Sequence, residues 1–138
     1  TFFNELKKTN PDLVPFSLDT LRHDWYDAED YTKAWEASVA DTTFFPRAKD
    51  NFKQLVEAGK SIYLDNTNLS PKGRRFFIET AKKAGYRTIA YVFNVDVETL
   101  LQRQKTRPDK FVPVSAVKQH VAALKPPMPG EFDEVRNV

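Results

Sequence analysis

The sequence predicts an α/β domain in which short strands alternate with helices around a mostly parallel sheet. Three observations carry that expectation. Apolar runs rich in β-branched and aromatic residues, at 13–17, 61–64 and 86–93, alternate with longer stretches of helical periodicity. Helix stops fall where this alternation needs them, at Gly59 and Gly85. No repeat, low-complexity segment or long linker divides the 138 residues, so 1–138 reads as one domain.

The elements follow in chain order. A helical pattern begins at once, with Phe2, Phe3 and Leu6 on one face and nothing before it to cap it. Thr9-Asn10-Pro11-Asp12 breaks that helix, and a short strand follows at 13–17, with Pro15 placing it at a sheet edge. The next helix starts near Asp19, where a carboxylate is favoured by the helix dipole. The stretch 30–58 is mostly helical, with apolar stripes through Trp35, Val39, Phe52, Leu55 and Val56, and Pro46 marking the junction of two helices.

Ser61-Ile62-Tyr63-Leu64 reads as a buried strand ending on Asp65, Asn66, Thr67 and Asn68. Ser70 is the expected N-cap of the following helix and Pro71 its first residue. In that helix Phe76, Phe77, Thr80 and Ala81 face inward. YRTIAYVF at 86–93 is the clearest strand. A short helix at 97–104, a polar basic loop at 103–110, a helix at 114–124 and a last strand at 132–138 complete the chain.

Composition narrows the function classes. The hydrophobic share of 41% can fill one core, and the absence of cysteine excludes disulfide frameworks and thiolate chemistry and favours a reducing, cytoplasmic setting. No apolar run approaches the ~20 residues a membrane span needs. The net charge of +2 is slight, with basic clusters at 72–75, 82–83 and 103–110 that would suit phosphate groups but are more often solvated faces. A strand whose C-terminal end carries Asp, Thr and Asn before a helix is where open α/β sheets hold ligands. The competing role for those groups is to satisfy local backbone.

Three spacings occur in one order: Asp19-Thr20-Leu21-Arg22; Leu64-Asp65-Asn66-Thr67-Asn68 with Arg74 beyond it; and Arg103-Gln104-Lys105-Thr106-Arg107 before Val112-Pro113-Val114. Together they resemble the kinase domain of the 5′-polynucleotide kinases, a branch of the P-loop phosphotransferases, over nearly the whole chain. That family has an Asp-x-x-Arg pair after its second strand, a D-x-T-N stretch ending the third, and an Arg-x-x-x-Arg lid before V-P. The resemblance implies a three-layer P-loop-kinase-like fold. It also implies transfer of the γ-phosphate of ATP or another nucleoside triphosphate, with Mg²⁺, to 5′-OH ends of RNA or DNA in nucleic-acid repair.

By the same resemblance Asp19 contacts the acceptor hydroxyl, and Arg22 holds an acceptor phosphate. Asp65 orients the metal, and Thr67 and Asn68 line the same pocket. Arg74 supports that loop. Arg103 and Arg107 close over the donor phosphates from a lid at about 103–112, Arg103 also acting in catalysis. Related kinases often carry phosphatase, ligase or phosphodiesterase domains. Rival readings are a kinase for a small-molecule or RNA-linked acceptor and a nucleic-acid-binding remnant without catalysis.

One family element is missing. The sequence contains no G-x-x-x-x-G-K-[ST]; its glycines are Gly59, Gly73, Gly85 and Gly130. Thr1-Phe2-Phe3 looks like the continuation of such a phosphate loop, which places Thr1 beside the donor. The expectation is therefore an N-terminally trimmed copy whose first strand and Walker A loop precede Thr1.

Overall fold

The computed structural model describes residues 1–26, 29–66, 71–93, 98–99, 102 and 126–138. Among them are five helices and two pairs of short parallel strands, in two compact units, Thr1–Thr67 and Asn68–Val138.

In the first unit, helix α1 (Phe2–Thr9) is capped by Thr1, whose Oγ1 accepts from Asn4 N at 3.2 Å. The absence of a cap expected from the sequence is thereby corrected: the first residue caps its own helix. Strand β1 (Val14–Phe16) pairs in parallel with β2 (Ile62–Leu64), in the register Val14↔Ile62, Pro15↔Tyr63 and Phe16↔Leu64. A parallel pair needs a crossover, and α2 (Leu18–Trp25), α3 (Tyr31–Ala40) and α4 (Phe44–Glu57) supply it.

Helix α4 builds the core of this unit. Phe44, Ala48, Phe52 and Val56 recur every fourth residue and are all buried, giving one apolar stripe. The Phe52 ring meets Phe16 of β1 edge-on at 5.4 Å, which fixes the helix against the sheet. Pro46 does not mark the junction of two helices, as its ring chemistry suggests from sequence. It is the third residue of α4, where a helix N–H has no intrahelical partner to lose, and the chain breaks at Asp41 and Thr42 instead. Gly59 then closes α4 at φ +71°, with Gly59 N donating to Val56 O and Lys60 N to Leu55 O. These two bonds make a Schellman cap, which an L side chain at that φ would strain. Strand β2 is half-buried at all three positions rather than fully buried.

In the second unit, α5 (Pro71–Lys83) begins on the proline, as expected, and buries Arg74, Phe77 and Ala81. Gly85 ends it with the same pair of cap bonds, from Tyr86 N to Ala81 O and from Gly85 N to Lys82 O. Strand β3 (Ile89–Val92) is shorter than the expected 86–93 and pairs in parallel with β4 (Glu134–Asn137). At Thr88, just before the strand, the carbonyl still accepts from Glu134 N at 3.1 Å, while the N–H and the hydroxyl turn to Asp133 Oδ2 at 2.7 and 3.0 Å.

Candidate phosphotransfer site

The end of β2 and the first turns of α1 and α2 enclose an open pocket of about 230 Å³. Thr1 and Asp65, two residues singled out from the sequence, both line it, together with Ser17, Thr20, Phe3 and Tyr63. Thr1 and Ser17 are the N-caps of α1 and α2, so two helix N-termini, each carrying partial positive charge, open on one cavity. Asp65 is held at the strand end by its own N–H, which donates to Phe16 O at 2.9 Å and extends the β1–β2 ladder by one bond. Asn66, the next residue, ties β2 to α2: its Oδ1 accepts from Leu18 N at 3.0 Å. The Phe3 and Tyr63 rings lie 5.2 Å apart and form an apolar wall. Burial, and then the negative charge of Asp65, push the Tyr63 hydroxyl above its ordinary pKa.

Asp19 and Arg22 do not line this pocket, although Thr20 between them does. They form their own group one residue along α2. Asp19 Oδ1 accepts from Arg22 NH1 at 3.0 Å and from the Tyr31 hydroxyl at 2.9 Å. The Arg22 Nε donates to Ser38 Oγ at 2.9 Å, and its guanidinium lies 4.9 Å above the Phe44 ring. Ser38 in turn donates to Trp35 O at 2.7 Å. The result is a graded pair: the Arg22 side chain is 12% exposed and the Asp19 side chain 40% exposed, so a solute reaches the carboxylate more readily than the guanidinium.

Arg74 belongs to the second unit. It makes a two-pronged ion pair with Glu131, Nε to Oε2 at 2.6 Å and NH2 to Oε1 at 2.8 Å, and donates to Pro126 O at 3.1 Å. This anchors the turn before β4 on α5. Thr67, Asn68, Arg103 and Arg107 lie outside the described residues, as do Ser70 and the expected lid.

The sequence reading missed Ser38 and Phe44 as neighbours of the Asp19–Arg22 pair, and Ser17 as a pocket residue. Ser17 carried a usable signal, a serine between an apolar strand and a helix. Ser38 carried none, because its contact with Arg22 spans 16 residues.

Among the described residues no three acidic, His or Cys side chains gather into a metal cluster, and no helix is long and apolar enough to cross a membrane. A family model described as an AAA domain matches residues 1–127. That match spans nearly the whole chain and agrees with its helices and short parallel strands. The chain belongs to this AAA-domain family and is a P-loop kinase-like α/β domain of the nucleotide-binding, phosphotransferase type.

Proposed function

We propose that this domain transfers the γ-phosphate of a nucleoside triphosphate to the 5′-hydroxyl of an RNA or DNA end, in the repair of broken strands. The observation that carries the reading is Asp19. It is an accessible carboxylate fixed at the first turn of α2, next in sequence to Thr20, which lines a pocket bounded by two helix N-termini. Phosphoryl transfer asks the protein chiefly to position donor and acceptor and to offset charge on the moving group. Helix N-termini suit the donor phosphates, and a carboxylate suits the acceptor hydroxyl.

In the step itself the 5′-oxygen forms a bond to the γ-phosphorus. The bond from that phosphorus to the bridging oxygen breaks, and the nucleoside diphosphate leaves with the electron pair. Asp19 accepts the hydroxyl proton. Arg22 pairs with Asp19 in the resting domain, and its role toward an acceptor phosphate rests on the motif resemblance. Asp65 fits Mg²⁺ in the manner usual for that ion, one carboxylate supplemented by water and substrate phosphates. The bound ion would supply charge neutralisation at the phosphates. The roles of Thr67, Asn68, Arg103 and Arg107 rest on the motif resemblance alone.

The test is an acceptor panel with labelled nucleoside triphosphate and the full-length protein. The reading expects label on a 5′-OH oligonucleotide and none on the same oligonucleotide already carrying a 5′-phosphate. Transfer to a small alcohol or nucleoside in preference to the oligonucleotide would assign the domain to the small-molecule kinases. Salt-sensitive oligonucleotide binding without any transfer would make it a binding remnant.

A further inference from the structure

One face of α3 is built against the Asp19–Arg22 pair. Tyr31, Ala34 and Ser38 fall at i, i+3 and i+7, a single helical stripe, and Ala34 and Ser38 are buried. The small side chains at 34 and 38 let α3 approach α2 closely. That approach brings the Tyr31 hydroxyl to 2.9 Å from Asp19 Oδ1 and Ser38 Oγ to 2.9 Å from Arg22 Nε. Asp30 fixes the start of the same helix, its Oδ1 accepting from Thr32 N at 2.9 Å and Lys33 N at 3.4 Å, so Tyr31 sits on a capped and rigid first turn.

We infer that Tyr31 is a positioning residue for phosphoryl transfer, orienting the Asp19 carboxylate through Oδ1 while Ser38 and Phe44 hold Arg22 as its second support. The inference rests on Asp19 being the acceptor-side carboxylate. A side-chain carboxylate on a helix surface has several accessible rotamers. Two donors arriving at one oxygen from different helices select among them. Arg22 NH1 comes from one turn along α2, and the Tyr31 hydroxyl comes across from α3. The other oxygen is thereby given a defined direction. Arg22 is itself held on two further sides, by a hydrogen bond to a buried serine and by the face of a fully buried ring, so it cannot follow the carboxylate if Tyr31 is lost. Tyr31 never touches substrate in this account; its effect on rate passes through Asp19.

The experiment compares wild type, Tyr31→Phe, Ser38→Ala and Asp19→Asn in the full-length protein, by steady-state transfer to a 5′-OH oligonucleotide and by thermal unfolding. Tyr31→Phe removes one hydroxyl and keeps the ring, so kcat should fall about 10-fold, as a misdirected catalytic group implies. The KM values for both substrates should stay within about twofold of wild type, because uniform binding is untouched. The Tm should hold. Ser38→Ala should lower kcat in the same sense. A Tyr31→Phe enzyme with wild-type kcat, or one whose loss appears in KM or is matched by a lowered Tm, overturns the positioning role. Asp19→Asn turning over normally would instead remove Asp19 from the reaction, and the inference would fall with it. Loss in Asp19→Asn together with normal turnover in Tyr31→Phe would retire the positioning role and leave the kinase reading standing.

Discussion

Replacing Arg74 by methionine should unfold the domain more readily by about 3 kcal/mol. The substitution keeps the volume of the stem and deletes the guanidinium, which reaches Glu131 at 2.6 and 2.8 Å and Pro126 O at 3.1 Å. Arg74 is buried at 5% exposed and Glu131 nearly so at 12%, so solvent replaces the lost contacts poorly. Removing one member of a buried pair typically costs about 3–5 kcal/mol, most of it from stranding the remaining charge. The lower end applies because Glu131 Oε1 keeps a bond from Met128 N at 2.9 Å. For a chain of this size that loss corresponds to a fall in Tm of roughly 10 °C.

The assay is thermal and denaturant unfolding of Arg74→Met, Glu131→Gln and the double variant Arg74→Met/Glu131→Leu. The double variant should recover more than half of the loss, since no charge is left buried without its partner. The penalty should also depend on pH. The Arg74 guanidinium is the first cause holding the Glu131 carboxyl below its ordinary pKa. The stability it contributes is therefore present above the ordinary carboxylate range and is lost as pH falls through the depressed value. The gap between wild type and Arg74→Met should shrink in acid. A fall in Tm under about 3 °C at neutral pH, or a double variant weaker than either single one, would refute the reasoning.

Two further outcomes follow from the first unit. Gly59→Ala should cost about 1 kcal/mol, because the residue sits at φ +71° with nothing within 4 Å of a new Cβ, so the penalty is conformational alone; chemical denaturation measures it, and no loss would contradict the Schellman cap. Asp41 has its pKa lowered to about 2 by hydrogen bonds from Thr43 and from the Tyr26 hydroxyl. A depressed carboxylate stabilises the fold above its ordinary range, and that support goes as pH falls toward about 2; Asp41→Asn should flatten the acid arm of the stability–pH curve, and an unchanged arm would count against the network.

The parts of the fold legible in the sequence are those set by local chemistry. Gly59, Gly85 and Pro71 mark helix ends by backbone geometry that needs no distant partner, and all three stand where that geometry requires. The four-residue spacing of Phe44, Ala48, Phe52 and Val56 was harder to read, because Pro46 interrupts the pattern in a position that tolerates proline. The strand expected at 86–93 is shorter, and the N–H of Thr88 before it goes to a side chain 45 residues away, Asp133, a partner that local pattern does not show. The site divides the same way. Asp19-x-x-Arg22 is a local pair at i and i+3, visible in any reading of the helix. Its buried support Ser38, and the partner of Arg74, 57 residues away, come from packing between elements, which leaves no trace at any one position.

The account turns on Asp19, and the most direct measurement is transfer of labelled γ-phosphate to a 5′-OH oligonucleotide by wild-type and Asp19→Asn proteins of equal stability. The amide is close in size to the carboxylate but cannot take the hydroxyl proton. The account predicts labelled 5′ ends with the wild type and a rate at least about 10²-fold lower with Asp19→Asn. Equal rates from the two proteins would contradict it.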